Sequence, residues 1–151
     1  MLTRVQKDDL RFVHDCLLAG GDPASEAFVQ WLCGLNPRLA PILPAAAKAR
    51  RLFLPHAIGL ILAAADGPCE AREQLLDFGR LLAAVEIREL QFLAAEQKLF
   101  QLLAEQLGRV YSERVSATLR VAVAAASALL REGMSRASGE PADDAFEERS
   151  A

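Results

Sequence analysis

The chain has 151 residues, 52% of them hydrophobic, and a formal net charge of −3. That length makes one domain with a single sizeable core. The hydrophobic fraction excludes disorder for the body of the chain, and the small, mixed charge excludes the basic stripe of a nucleic-acid binder.

Leu and Ala dominate while Tyr and Thr are sparse, which favours helix over strand. The opening MLTRVQKDDLRF mixes charges of both signs and has no apolar h-region, so it is not expected to be a signal peptide. From Gln6 to Ala19, Leu10, Val13 and Leu17 recur at helical spacing with Phe12 beside them, and Gly20-Gly21 stops the helix. Asp22 caps a second helix with Pro23 at its first position; Phe28, Trp31, Leu32 and Leu35 form its apolar face. Asn36-Pro37 marks a turn, and a short helical piece runs through Leu43 until Pro44 breaks it.

Ala45 to Asp66 reads as one long helix, kinked or started at Pro55, and Gly67-Pro68 ends it. Within it, the run from Leu52 to Ala65 is 14 residues long. A membrane span needs about 18 or more. Glu70 to Val85 predicts a further helix, with Leu75, Phe78, Leu82 and Val85 on one face. Ile87 to Leu107 follows, with Phe92, Leu99, Leu103 and Leu107 close to one stripe, and Gly108 terminates it. Ser112 offers an incomplete N-cap for a last helix from about Glu113 to Glu132. Between Arg120 and Arg131 that helix reads VAVAAASALL, without a charge; a helix apolar on every side is buried centrally or shared with a partner. After Met134 the composition turns polar and acidic. The domain is therefore expected over residues 1–134, with residues 135–151 as a flexible acidic tail.

Three cysteines, Cys16, Cys33 and Cys69, are widely spaced and form no CxxC pair, so neither a zinc nor a dithiol site is expected. The chain reads as an all-α, cytoplasmic protein without a membrane span. With two histidines, His14 and His56, no Ser-His-Asp or Cys-His arrangement can be built with any specificity. No Gly-rich phosphate loop is present either. The chain is not expected to be an enzyme.

The order of landmarks resembles the globin superfamily. FVQWLCGLNPRLAPIL (Phe28 to Leu43) resembles the globin second helix and the Pro-started third. KARRLFLPHAIGLILAAAD (Lys48 to Asp66) resembles the long distal helix of bacterial globins. LLDFGRLL looks like the helix that ends in Leu-Gly-x-x-His, and the segments from Ile87 and from Tyr111 look like the last two globin helices. The resemblance covers about Val5 to Gly133 and rests on many weak matches. It points to bacterial single-domain globins and the globin-like sensor domains of stress signalling. It implies a globin-like fold of six to eight helices.

The resemblance also locates three haem-contact positions, and all are apolar here. The proximal histidine position is Leu82, the position of the Phe that wedges against haem is Leu43, and the distal position falls at about Phe53. Leu has no lone pair for iron. His56, one turn after Phe53, is either a surface or pocket-rim histidine or a haem ligand from the distal side. His14 lies on the polar side of the first helix. Cys33 reads as a small core residue, Cys69 sits three turns from Leu82, Tyr111 packs at the start of the last helix, and Met134 comes too late in the chain.

Three classes of function remain open. The first is a haem-free, globin-like module for signal input or protein interaction. In globin-like sensors the last two helices commonly form a dimer, here through Leu99, Leu103, Val121, Ala124, Ala125 and Leu129, with a further partner protein unidentified. The second is a binder of a small apolar ligand such as a fatty acid in the vacated pocket, its carboxylate met by Lys48, Arg50 and Arg51. The third is a haem protein ligated through His56. No cofactor is required by the first reading.

Overall fold

The computed structural model describes residues 2–67 and 69–137, and among these the chain is all-α. Seven α-helices and two 3-10 segments follow one another without a strand. Helix α1 spans Arg4–Gly20 and starts with a reciprocal cap: the Gln6 N–H donates to Thr3 Oγ1 at 3.1 Å, and the Thr3 N–H donates to Gln6 Oε1 at 2.9 Å. It buries Leu10, Val13 and Leu17, as their spacing predicts. Helix α2 (Asp22–Leu35) carries Pro23 in its first turn. Asn36 then caps a 3-10 segment, Pro37–Ile42.

The long helix expected from Ala45 to Asp66 is two helices. Helix α3 (Ala47–Arg51) ends at Leu52, whose φ of −100° and ψ of 10° interrupt the helical path, and α4 runs Phe53–Ala65. Pro55 is the cause. It lies in the first turn of α4, where its missing N–H has no intrahelical partner to lose. The Leu54 N–H at that start donates 3.0 Å to Ser25 Oγ in α2, and Ser25 is fully buried. A helix end inside the protein is thus satisfied by a side chain from another helix.

Helix α5 spans Cys69–Ala84 and ends in a Schellman turn. The Ile87 N–H reaches Leu82 O at 3.1 Å, the Glu86 N–H reaches Ala83 O at 2.9 Å, and Glu86 takes φ 58°. Helix α6 (Glu89–Leu107) and helix α7 (Glu113–Ala137) are antiparallel. The pairs that establish this are Arg131 over the Phe92 ring at 4.3 Å, Ser127 donating to Glu96, and Arg120 over the Phe100 ring at 4.6 Å. Helix α7 continues to Ala137, so residues 135–137, expected in the tail, belong to its last turn; no Gly or Pro interrupts the helix between Met134 and Ala137. The remainder of the expected tail, 138–151, lies outside the described residues.

The most extensive pairing in the fold is α5 with α7. Its cause is two glycines. A Cβ on Gly79 would overlap the Leu130 carbonyl oxygen and come within 3.1 Å of Gly133 Cα; a Cβ on Gly133 would overlap the Leu76 carbonyl oxygen. The two backbones touch where no side chain separates them. Elsewhere, α1 runs antiparallel to α4, with Lys7 Nζ 2.8 Å from Asp66 at one end and the His14 ring over Gly59 further along. His14, expected on the surface, is half-buried at this contact. The hydrogen bond from Lys7 holds the exposed Asp66 carboxyl below its ordinary range. Asp9, 6% exposed, accepts from Arg114 at 2.8 Å and from Thr118 at 3.3 Å, which ties α1 to α7. No described helix is long and apolar enough to cross a membrane.

Gly133→Ala should destabilise the protein by about 3 kcal/mol, because the crossing must open to admit a methyl group. Gly34→Ala, in α2 with nothing within 4 Å of the added Cβ, should stabilise it by about 0.5–1 kcal/mol. Urea denaturation of both variants checks this. A Gly133→Ala protein as stable as the parent would contradict the close crossing.

Candidate functional site

The 3-10 segment and α5 bring the expected haem-contact positions together. Leu43 follows Pro41 and Ile42 in extended backbone (φ −100°, ψ 159°), which turns its side chain into the core. Leu82 lies one turn beyond Gly79 on the same face of α5, so the glycine crossing presses it inward. Leu43 and Leu82 are buried in one cluster with Val29, Leu39 and Phe92. Phe53 is half-buried and packs against both this cluster and the larger core; its ring lies 6.0 Å from that of Phe28. Phe78, Val85, Ile87 and Leu130 close the remaining sides. Arg131 sits over the Phe92 ring and donates to Glu89 at 2.6 Å, covering the end of the cluster with a charged group whose stem is apolar.

The other expected site residues are arranged differently. His56 is exposed and is not part of this cluster. Its position in the first turn of α4, next to buried Leu54 and Pro55, turns it outward. Lys48 and Arg50 are on the short α3, and Arg51 lies 3.8 Å from Asp22. Met134, judged too distant from sequence position, is carried to the Leu82 cluster by α7. Cys33 packs against the same cluster, as expected of a small core residue, and Cys69 is exposed. Glu86 and Glu89 are exposed, and pair with Arg38 and Arg131.

A haem does not fit these residues. Its expected volume is occupied by Leu43, Phe53 and Leu82, and Leu82 offers iron no donor. Among the described residues no three His, Cys, Asp or Glu side chains converge as metal ligands. Nor, among the described residues, does a nucleophile meet a base: His14 Nδ1 lies 3.5 Å from Asp15, and neither histidine is hydrogen-bonded to a described Ser or Cys.

The expected dimer residues divide in two. Leu103 (0% exposed) and Leu129 (9%) are core residues, Leu103 in the main cluster with Leu10, Leu119 and Ala122 and Leu129 where α7 packs on α5. Leu99 is half-buried. Val121 (43%), Ala124 and Ala125 face outward, with Ala117 and Ala128 on the same side. Beside this face a groove of about 520 Å³ opens between α4, α5 and α7, floored by Ile61, Leu75, Ala122 and Ala126 and edged by Arg72 and Glu132. Sequence reasoning did not find this groove. Its signal was present in the run of alanines that lets α7 lie low beside α4 and α5. No protein-family model matches the chain, and no curated protein is significantly similar to it.

Leu82→Ala should cost about 2–4 kcal/mol by the cavity it leaves. Leu81→Ala, next to it but 44% exposed, should stay within about 0.5 kcal/mol of the parent. Equal effects in urea denaturation would contradict the inward placement of Leu82.

Proposed function

We propose that this chain is a haem-free, globin-like interaction module of the sensor type, working by self-association through the outer face of α7 and not by catalysis. The observation that carries the reading is the fate of the three haem-contact positions: Leu43, Phe53 and Leu82 pack on one another's neighbours in a closed cluster. A globin outline with its ligand space converted to core keeps its surfaces and loses its chemistry. The surface that then stands out is uncharged over about two turns of α7: Val121, Ala124, Ala125 and Ala128 are exposed there, with exposed Arg120 at its edge. Small side chains allow a second helix to approach closely, and burying them removes apolar area from water at little loss of side-chain entropy. The contact set is narrower than the one expected from the sequence, since Leu103 and Leu129 already serve the core.

The apolar-ligand reading and the His56-ligated haem reading lose their footing on the same facts. The first needs an open space behind Lys48, Arg50 and Arg51, and the second needs His56 turned inward.

Sedimentation equilibrium at micromolar concentration should give a dimer, and Val121→Glu or Ala125→Glu should give a folded monomer, because a carboxylate at the centre of an apolar contact is left unpaired. A parent protein that is monomeric at that concentration would overturn the reading. A dimer that survives both substitutions would place the contact elsewhere.

A further inference from the structure

The groove between α4, α5 and α7 is apolar, and one of its two charged edges is already neutralised. Glu132 accepts from Arg136, one turn on, while the exposed Arg72 makes no ion pair among the described residues. An occupant suited to it would bring an apolar side chain for the floor of Ile61, Leu75, Ala122 and Ala126, with negative charge beside it for Arg72.

The outer face of α1 carries that combination. Phe12 is 53% exposed and is the one exposed aromatic side chain among the described residues. Helix α1 turns Leu10, Val13 and Leu17 inward, and Phe12 belongs to no core cluster and lines no part of its own chain's groove. Asp15, three residues on, shares the face of Phe12. Its side chain is 77% exposed, and the His14 ring, 3.5 Å away, is the only basic group beside it among the described residues. Asp8, one turn before Phe12, is paired with Arg11 at 3.0 Å, so the Asp15 carboxylate is the one left for a cation from outside.

We infer that Phe12 of a second copy seats in the groove between α4, α5 and α7 with its Asp15 beside Arg72, and that the contact is exchanged both ways about a two-fold axis. Each feature answers the other in shape and in charge. The small side chains of Ala122 and Ala126 leave depth for a ring where Leu would not. The exchange follows from the two surfaces being different: a single contact leaves one ring and one groove open and would propagate into chains, whereas a reciprocal one closes at two copies. Leu2, just ahead of α1, lines the groove. Phe12 lies ten residues further along, about 15 Å at the helical rise, so ring and groove are close enough to share one contact area.

This inference rests on the self-association reading and names what meets α7. The groove shares Val121, Ala125 and Ala128 with the outer face of that helix, and the helix of the second copy laid there is α1.

The test is sedimentation equilibrium of the full chain and its variants. Phe12→Ala should raise the dimer dissociation constant about 100-fold, since a central aromatic is lost twice, while its urea midpoint stays that of the parent because the ring is outside the core. Arg72→Asp and Asp15→Arg should each weaken the dimer, and the two together should restore it. A dimer unchanged by Phe12→Ala would overturn the inference and give the groove another occupant, with self-association through α7 left standing. A double charge exchange that fails to restore the dimer would overturn the placement of Asp15, and assemblies that grow past two copies would overturn the reciprocal closure. A parent protein that is monomeric would remove both proposals together.

Discussion

The rest of the fold depends on the contact between Gly79 and Gly133. Two helices that meet backbone to backbone lie closer than any pair separated by side chains, and the side chains on either side of the crossing are driven into neighbouring layers. On one side Leu75 and Leu76 meet Ala126 and Leu129. On the other, Leu82 is carried against the cluster of Leu43 and Phe92. The position that would have to carry an iron ligand is thus held in place by packing. With Leu at position 82 and α5 drawn onto α7, the space beside Leu82 is core.

Polar groups complete the assembly by closing helix ends across the fold. Gln106 donates to Gly20 O at 2.7 Å, so a side chain of α6 satisfies the C-terminus of α1. Gln91 donates to Leu35 O at 3.3 Å, doing the same for α2, and its Oε1 accepts the Arg88 N–H at 3.1 Å at the start of its own helix. Ser25 serves α4. These bonds join segments distant in sequence, and they fix where helices stop as much as how they pack. Helix α7 has one face spent on the core and an outer face uncharged from Val121 to Ala128, and this inequality underlies the interaction reading.

Much of this was legible in the sequence. Periodicity located the helices, and Gly20-Gly21, Asn36-Pro37 and Gly108 marked their ends within a few residues. Leu43, Phe53 and Leu82 were singled out by the resemblance as pocket positions; that they pack together as a filled core was not legible. Three other things were not legible, each for a physical reason. Pro55 marked a kink or a start, but not that two helices meet at Leu52, because a proline tolerated in a first turn can bend one helix or begin another. The split of the α7 residues into core and surface depends on helix rotation, which an all-apolar stretch such as VAVAAASALL does not encode. The glycine crossing was present as two isolated glycines within uninterrupted helical patterns. Such glycines signal close approach, but their pairing at a separation of 54 positions appears only in three dimensions.

The central claim is the proposed one, that a globin-like outline is combined here with a filled core and no haem pocket. The most direct test is the absorption spectrum of the purified protein before and after addition of haemin. The account predicts no Soret band beyond that of free haemin in either spectrum. A sharp protein-bound band would contradict it, and its disappearance in His56→Ala would show that α4 turns to deliver that histidine into a space that opens on binding.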